Sequence, residues 1–337
     1  MLFRSVMRSL EFSVLPKDGE SSVPVALAGK VMVSVQSLFT HIGEYVLVKE
    51  LRILETVDVR LASIFDLTMN RTSGVSIGSS VKFSTSGIIE DAMLLFERTL
   101  ISMGSGAGGY WIEDTFSDPR YRKLIADDII ELASVLRNHR FYVKFSADAV
   151  FDIDDIEKIQ LYINNLGMSC DGAVCGVVRA VRSRSGKGDK VGLSCGSGNA
   201  RLSFNDPALE KDAFGFSDKA VIVAGKVTYI GNVPSEVSGI GKIMPLETMR
   251  FRRIISADGD VVLTNAVPVS VRWDGENWIL KNSDLGISVR KDHWDSAVVA
   301  FHDQFMFLWN EYSEFKEGMS GEEKEVHDYL MSLMEEE

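Results

Sequence analysis

The spacing of apolar residues changes near residue 167, and this change limits what the chain can fold into. Before it, apolar side chains recur every three or four residues over long stretches, which is the pattern of amphipathic helices. After it, short Val-rich runs alternate with clusters of Gly, Ser, Asn and Asp, which is the pattern of strands joined by turns. The chain of 337 residues is also longer than one hydrophobic core usually fills, about 250 to 300 residues. The sequence therefore predicts an α+β, multidomain fold.

We expect three modules and an acidic tail. Residues 1–166 form a mixed α+β module, residues 168–250 a small β-barrel-like module, and residues 251–316 a β-sheet plus a helix. Residues 317–337 hold eight Asp or Glu against the single Lys324. Such a charge run is typical of a solvated tail or of a helix with one acidic face, and either would favour solubility.

The first module combines helices with short strands. The clearest amphipathic helix covers Ile88–Met103, and a second begins near Asp118, where Pro119 suits the first helical turn. Helical spacing also predicts a helix over Met32–Tyr45. The alternation of apolar and polar residues over Leu51–Leu67 predicts a half-buried strand. A turn rich in Gly, Ser and Thr then leads to a short strand at Val81–Ser84.

The second module contains strand signals and almost no helix signal. The strand candidates are Gly172–Val181, Lys190–Ser194, Ala200–Phe204, Ala220–Ile230 and Ile240–Met244. A strand, a basic turn, a strand ending in Phe and then the run Val-Ile-Val-Ala-Gly-Lys-Val resemble small OB-like β-barrels. This resemblance covers about a quarter of the chain and implies a small barrel.

The third module opens with two hairpins. The turns are Asp258-Gly259 and Asp274-Gly275, which are strong hairpin signals. A strand containing Trp278, the run Leu285-Gly286-Ile287-Ser288 and an amphipathic helix over Ala297–Tyr312 follow. This order resembles HicB-type antitoxin domains over about fifty residues. The resemblance implies a small sheet packed on one helix, and an antitoxin-like role in binding a partner protein.

The chain has a net charge of −12 but contains one basic cluster. That charge argues against a whole-surface attraction to nucleic acid or anionic lipid. The cluster comprises Arg179, Arg182, Arg184, Lys187 and Lys190. On a barrel hairpin these cations would neutralise phosphates, and the rings of Phe204, Phe214, Phe216 or Tyr229 would supply stacking faces. The alternative is a solvated loop whose charges keep a strand edge from aggregating.

Evidence for a catalytic or metal site is weak. Of the five histidines, only His293 and His302 lie in one module near several carboxylates, and with Asp295 they form a weak metal candidate. Cys170, Cys175 and Cys195 lack metal-ligand spacing, so we expect free thiols that are buried or half-buried. The glycine run 104–109 matches a dinucleotide fingerprint but follows a helix, so we interpret it as a helix end or link. No cofactor is indicated.

Two classes of function remain, and a third is weaker. The first is a non-catalytic binding or regulatory protein that acts through protein–protein contacts, and the resemblance to HicB-type domains implies an antitoxin-like form of it. The second is a nucleic-acid-binding protein that uses the basic hairpin. The third is a hydrolase or metalloenzyme. Three cysteines are an odd number, which disfavours a disulfide framework and predicts a cytoplasmic protein. Polar residues interrupt every apolar stretch before the length of about 20 residues that spans a bilayer, so no membrane partner is expected.

Overall fold

The computed structural model describes residues 11–17, 23–54, 57, 59–66, 69–73, 76–79, 87–104, 108–145, 149–152, 156–164, 167–181, 190–196, 198–314 and 318–335. Contacts between these residues divide the chain into two compact units. The first unit consists of Met1–Leu47 and Asp58–Gly167, and the second of Val48–Val57 and Met168–Glu337. A short segment of the N-terminal half therefore belongs to the C-terminal unit.

The first unit contains six α-helices, one 3-10 turn and one sheet among its described residues. The helices are α1 (Val25–Leu51, whose last residues belong to the second unit), α2 (Val59–Ala62), α3 (Gly87–Gly104), α4 (Gly108–Thr115), α5 (Pro119–His139) and α6 (Ile156–Asn164), and the 3-10 turn is Ser63–Phe65. The strands are β1 (Glu11–Pro16), β2 (Met69–Ser73), β3 (Ser76–Ser79), β4 (Phe141–Phe145) and β5 (Ala149–Phe151). They pair antiparallel in the order β2-β3-β1-β4-β5.

The core of this unit forms around α1. Phe39 lies edge-on to Phe65 and to Phe96, with ring centroids 5.9 and 5.6 Å apart. All three rings are fully buried. By length and composition alone α1 is apolar enough to cross a membrane, and 39% of its most apolar window is buried inside the protein. Because core helices of globular proteins meet the same criterion, this helix carries no conclusion about a membrane.

Most helix predictions for the first unit are confirmed. The helices predicted at Ile88–Met103 and from Asp118 correspond to α3 and α5, and the Asp118 side chain accepts a hydrogen bond from Arg120 N at 3.0 Å as a helix cap. The strand predicted over Leu51–Leu67 is wrong, because α1 continues to Leu51 and short helical turns bury Leu61 and Phe65. The strand predicted at 81–84 lies outside the described residues.

The glycine run separates two helices. Within it, α3 ends at Gly104 and α4 begins at Gly108, so Tyr110 and Trp111 are helical. A helix therefore follows the run directly, as a dinucleotide fingerprint would require. The preceding element is still a helix rather than the strand that a dinucleotide fingerprint requires, so a helix end remains the better interpretation.

The first part of the second unit is a closed five-stranded barrel, as the sequence predicts. Its strands are β6 (Ser169–Val181), β7 (Lys190–Cys195), β8 (Gly198–Ser203), β9 (Ala220–Ile230) and β10 (Val233–Pro245). The order is β10-β8-β7-β6-β9, with β8 and β10 parallel and all other pairs antiparallel. Three consecutive paired strands closed by a parallel contact give the Greek-key connectivity of OB-type barrels. A helix that we did not predict, α7 (Pro207–Gly215), joins β8 to β9.

The second part is a four-stranded antiparallel sheet in the order β11-β12-β13-β14. The strands are β11 (Thr248–Ser256), β12 (Gly259–Trp273), β13 (Trp278–Asn282) and β14 (Ile287–Lys291), followed by α8 (Trp294–Tyr312). Because successive strand residues point to opposite faces, one face of the sheet is apolar and packs on α8. The predicted hairpins and the predicted sheet-plus-helix arrangement are therefore present.

The acidic C-terminal region is helical. Here α9 (Gly321–Ser332) begins with a capping box between Ser320 and Glu323. Its Leu330 is buried, and the Leu333 carbonyl accepts a hydrogen bond from Asn265 N at 2.9 Å. Of the two alternatives for this region, the helix with an acidic exposed side is the one observed.

Candidate functional site

The C-terminal sheet of the second unit has one exposed face, opposite the face that packs on α8. This exposed face is formed by the residues that alternate with the buried ones and are paired across the four strands. They are Thr248, Arg250, Pro268, Ser270, Arg272, Ile279, Lys281, Ser288 and Arg290. All are exposed except Ile279, which is half-buried, and none is Asp or Glu. We call this surface the outer face.

Each strand of the sheet contributes a cation to the outer face. Arg250 lies on β11, Arg272 on β12, Lys281 on β13 and Arg290 on β14. Arg272 is paired with Ile279, and Lys281 with Ser270, so these two cations are diagonal neighbours. Such neighbours lie about 7–8 Å apart, and three interstrand spacings give the face a width of about 14 Å.

Three of these four cations are not neutralised. The Arg290 guanidinium forms an ion pair with Asp274, 3.0 Å away. Within the described part of the chain, Arg250, Arg272 and Lys281 have no carboxylate within ion-pair distance. In a chain with a net charge of −12, a face with free cations and no carboxylate is a local reversal of sign.

The barrel carries part of the predicted basic cluster. Arg179 of β6 and Arg201 of β8 flank Gly192 of β7 in one cross-strand row. The Arg179 guanidinium pairs with the Asp218 carboxylate at 2.5 Å, whereas Arg201 is exposed. Arg182, Arg184 and Lys187, and the side chain of Lys190, lie outside the described residues, so their role stays a prediction. The strands that they connect, β6 and β7, pair up to Val181 and Lys190.

The candidate stacking rings of this module are all half-buried. Phe204 follows β8, Phe214 lies in α7 with Phe216 at its C-terminal end, and Tyr229 lies in β9. None of them is on the row of Arg179, Gly192 and Arg201. The described residues of this row therefore include no aromatic ring, and Arg201 is paired with Glu236 on β10.

The three residues of the metal candidate have separate roles. His293 is exposed beside Asp292, with Nε2 and Oδ2 3.6 Å apart. Asp295 Oδ1 accepts a hydrogen bond from Leu54 N at 2.7 Å. His302 is fully buried, and its Nδ1 accepts a hydrogen bond from Ile255 N at 3.0 Å. Because Asp295 and His302 are seven residues apart on α8, they are separated by about 10 Å along its axis.

No three His, Cys, Asp or Glu side chains of the described residues are grouped so that they could hold a metal ion. The cysteines are free, as predicted, with Cys170 half-buried and Cys175 and Cys195 buried. Burial raises the pKa of the Cys175 thiol well above its usual range. A thiol held protonated in this way is a poor nucleophile and a poor metal ligand.

A histidine–carboxylate pair in the first unit was missed by sequence reasoning. His41 Nδ1 lies 2.5 Å from Asp128 Oδ2, and this hydrogen bond raises the pKa of His41. Burial raises the pKa of the nearby Glu44 carboxyl. The sequence pointed to His293 and His302 and did not predict the pair of His41 and Asp128. The partners are 87 residues apart in sequence, so no local spacing could reveal the contact.

Together, the closed barrel and the C-terminal sheet with its helix define an α+β protein. No family model, no curated protein and no solved structure matches this chain. Arguments about function therefore rest on its own residues.

Proposed function

We propose that this chain is a non-catalytic nucleic-acid-binding protein that contacts phosphates through the outer face. One observation carries the proposal: Arg250, Arg272 and Lys281 are free cations on a face that contains no carboxylate. A polyanion neutralised by Lys and Arg releases its counterions, which is the main source of affinity for nucleic acids. Hydroxyl groups of Thr248 and Ser288 on the same face are further donors to phosphate oxygens.

The size of the face suits a nucleic-acid backbone. One strand of a duplex presents a charge about every 3.4 Å along the axis, so a face about 14 Å wide meets about four phosphates. The outer face carries no aromatic ring, and its apolar members are Pro268 and the half-buried Ile279. Protein interfaces are typically centred on aromatic anchors with few charges. The composition therefore favours phosphate contacts over a protein partner at this face.

The proposal is tested by the salt dependence of binding to DNA and RNA. If three phosphates are contacted on a duplex, the logarithm of the affinity falls against the logarithm of salt concentration with a slope of about −2.7. The variants Arg272→Gln and Lys281→Gln each remove one contact, so each reduces the slope by about 1 and weakens binding to all sequences alike. Fluorescence anisotropy with labelled oligonucleotides measures both quantities.

The matched control is Lys242→Gln. Lys242 is an exposed cation of the same unit on β10, outside the outer face. The Lys242→Gln variant should bind DNA and RNA as the wild type does, because the substitution removes the same charge without removing a phosphate contact. Wild-type protein that shows no salt-sensitive binding to DNA or RNA contradicts the proposal, as does an equal effect of all three substitutions.

A protein partner is the second candidate, and an exposed aromatic side chain on α8 favours it. Phe307 is 64% exposed on this helix. Aromatic side chains dominate binding energy where they are buried by a partner. This is the regulatory, antitoxin-like role that the resemblance of residues 267–316 to HicB-type domains implies.

The variant Phe307→Ser tests this second candidate. It removes exposed apolar surface and should leave the stability of the fold unchanged within about 0.5 kcal/mol. Recovery of a stoichiometric protein partner in affinity purification should fall by about ten-fold or more if Phe307 is an anchor. Gln304→Ser, at an exposed position of the same helix, should retain the partner. Equal recovery of the partner with both variants would contradict the role of Phe307 as an anchor.

A further inference from the structure

A basic pocket adjoins the edge strand of the C-terminal sheet. Its volume is about 600 Å³, within the range of about 300–1,000 Å³ that is usual for small-ligand sites. All of the lining residues belong to the second unit: Lys49, Glu50, Arg52, Arg250, Phe251, Arg252, Arg253, Asn265 and Ala266. The pocket is therefore formed between the segment 48–57 and the first two strands of the sheet.

Positive charge dominates this pocket. Arg253 is neutralised, because its Nε and Nη2 lie 2.9 and 2.8 Å from Asp260 Oδ2. The other four cations, Lys49, Arg52, Arg250 and Arg252, are exposed, and within the described part of the chain they form no ion pair. Glu50 is the one acidic residue in the lining. A concave site with four free cations against one carboxylate concentrates anions.

Two hydrogen bonds join the backbone of Arg52 and Leu54 to side chains of α8. The Arg52 carbonyl accepts a hydrogen bond from Trp294 Nε1 at 3.2 Å, and Leu54 N donates to Asp295 Oδ1 at 2.7 Å. Arg52 has a φ of 55°, a left-handed conformation that is uncommon for residues other than Gly. This backbone conformation lets the chain leave α1 while the Arg52 side chain lines the pocket.

The opposite wall is formed where β12 departs from regular pairing. Phe251 is paired with Val267, but Arg253 is paired with Val262, so residues 263–266 bulge between them. Asn265 in this bulge contacts the end of α9 and the residues that follow it, since its Nδ2 donates to the carbonyls of Ser332 and Glu335 at 3.1 and 3.0 Å. A bulge secured in this way gives the pocket a defined shape rather than an open strand edge.

We propose that this pocket binds the phosphate groups of a small phosphorylated ligand with at least two adjacent phosphates. Arginine suits this ligand, because its planar guanidinium donates two parallel hydrogen bonds to a phosphate. Arg250 and Arg252 lie on the same side of β11, since they are two residues apart on one strand, and Arg52 lines the same pocket from the segment 48–57. The pocket shares Arg250 with the outer face, whereas its other free cations, Lys49, Arg52 and Arg252, lie outside that face.

The test uses inorganic pyrophosphate as the probe and isothermal titration calorimetry on the full chain. Arg52→Gly removes the guanidinium and keeps a backbone that favours positive φ, and Arg252→Gln removes the second charge. Each variant should bind pyrophosphate about ten-fold more weakly than the wild type. Arg252→Lys keeps the charge without the bidentate geometry and should lose less than Arg252→Gln.

Two controls separate this proposal from the one for the outer face. Lys242→Gln and Lys281→Gln should bind pyrophosphate as the wild type does, because neither residue lines the pocket. The proposal is overturned if the wild type does not bind pyrophosphate, or if Arg52→Gly binds it with unchanged affinity. Either result holds whatever the outcome for DNA and RNA. Loss of pyrophosphate binding in Lys242→Gln as large as in Arg52→Gly also overturns it.

Competition then identifies the source of the phosphates. One competitor is an oligonucleotide with a 5′-phosphate, and its control is the same oligonucleotide with a 5′-hydroxyl. If only the first displaces pyrophosphate, the pocket binds the end of a nucleic acid. Displacement by a nucleoside diphosphate but by neither oligonucleotide shows that it takes a free nucleotide. Both outcomes support a phosphate site, and displacement by none of the three overturns it.

Discussion

In the variant His302→Asn, the free energy of unfolding of the second unit should fall less on acidification than in the wild type. The expected difference is about 1.4 kcal/mol for each pH unit below the pKa of an unfolded histidine. His302 is fully buried on α8, and burial lowers its pKa from 6.5 to about 3. Its Nδ1 accepts the Ile255 amide hydrogen, so the folded protein holds a neutral ring with its proton on Nε2. Among the described residues, Nε2 has no hydrogen-bond partner that would stabilise a charged ring.

The sign of the effect follows from proton binding. Below pH 6.5 the unfolded chain protonates His302, whereas the folded protein does not until the pH approaches about 3. Protons therefore favour unfolding across this window, and the free energy of unfolding falls as the pH falls. Asparagine places its Oδ1 where it can accept the Ile255 amide hydrogen, but it does not titrate. His302→Asn thus loses stability at neutral pH and loses less of it on acidification.

Urea unfolding at a series of pH values between 7 and 4, followed by tryptophan fluorescence, measures the difference in slope. His293→Asn is the matched control, since it makes the same substitution at an exposed position next to the same helix. His41 has the opposite sign, because its raised pKa gives stability that is lost as the pH rises. It is present in all three proteins, so it cancels in the comparison. Parallel curves for His302→Asn and the wild type would contradict the prediction.

Local patterns in the sequence were sufficient for most elements of the fold. The 3.6-residue period predicted α3 and α5, and the Asp258-Gly259 and Asp274-Gly275 turns predicted the hairpins of the C-terminal sheet. The helix α7 was missed although Asp206-Pro207 repeats the signal of Asp118-Pro119, and the Asp206 side chain does accept from Ala208 N at 2.8 Å. A nine-residue helix between strands has too few turns to establish a period.

The contacts that form the candidate sites depend on long-range pairing, which local patterns do not specify. Arg250, Arg272 and Lys281 come from three strands, and each by itself is an ordinary exposed cation. The cations of the cluster 179–190 are close together in the sequence, whereas those of the outer face are not. A usable signal was present in the alternation of the sheet strands, where no acid occupies an outward position. Nothing in the sequence of residues 48–57 shows that they join the second unit.

Trp294 links that segment to the sheet, and Trp294→Ala is expected to destabilise the C-terminal unit by about 3–5 kcal/mol. Its ring is 1% exposed and meets Trp278 edge-on, with centroids 5.0 Å apart. Truncation leaves a cavity in the core and removes the hydrogen bond from Nε1 to the Arg52 carbonyl. A value within about 1 kcal/mol of the wild type in urea unfolding would show that Trp294 is not a core residue.

Trp294→Phe separates the packing contribution from the hydrogen bond. Phenylalanine retains most of the aromatic contact with Trp278 but has no donor for the Arg52 carbonyl, so the expected cost is about 1–3 kcal/mol. Because that carbonyl holds the segment 48–57 beside the sheet, Trp294→Phe should also weaken pyrophosphate binding while most of the protein stays folded. Trp309→Phe is the control, since Trp309 is half-buried on the same helix and does not line the pocket. Unchanged pyrophosphate affinity in Trp294→Phe would mean that the pocket does not depend on this hydrogen bond.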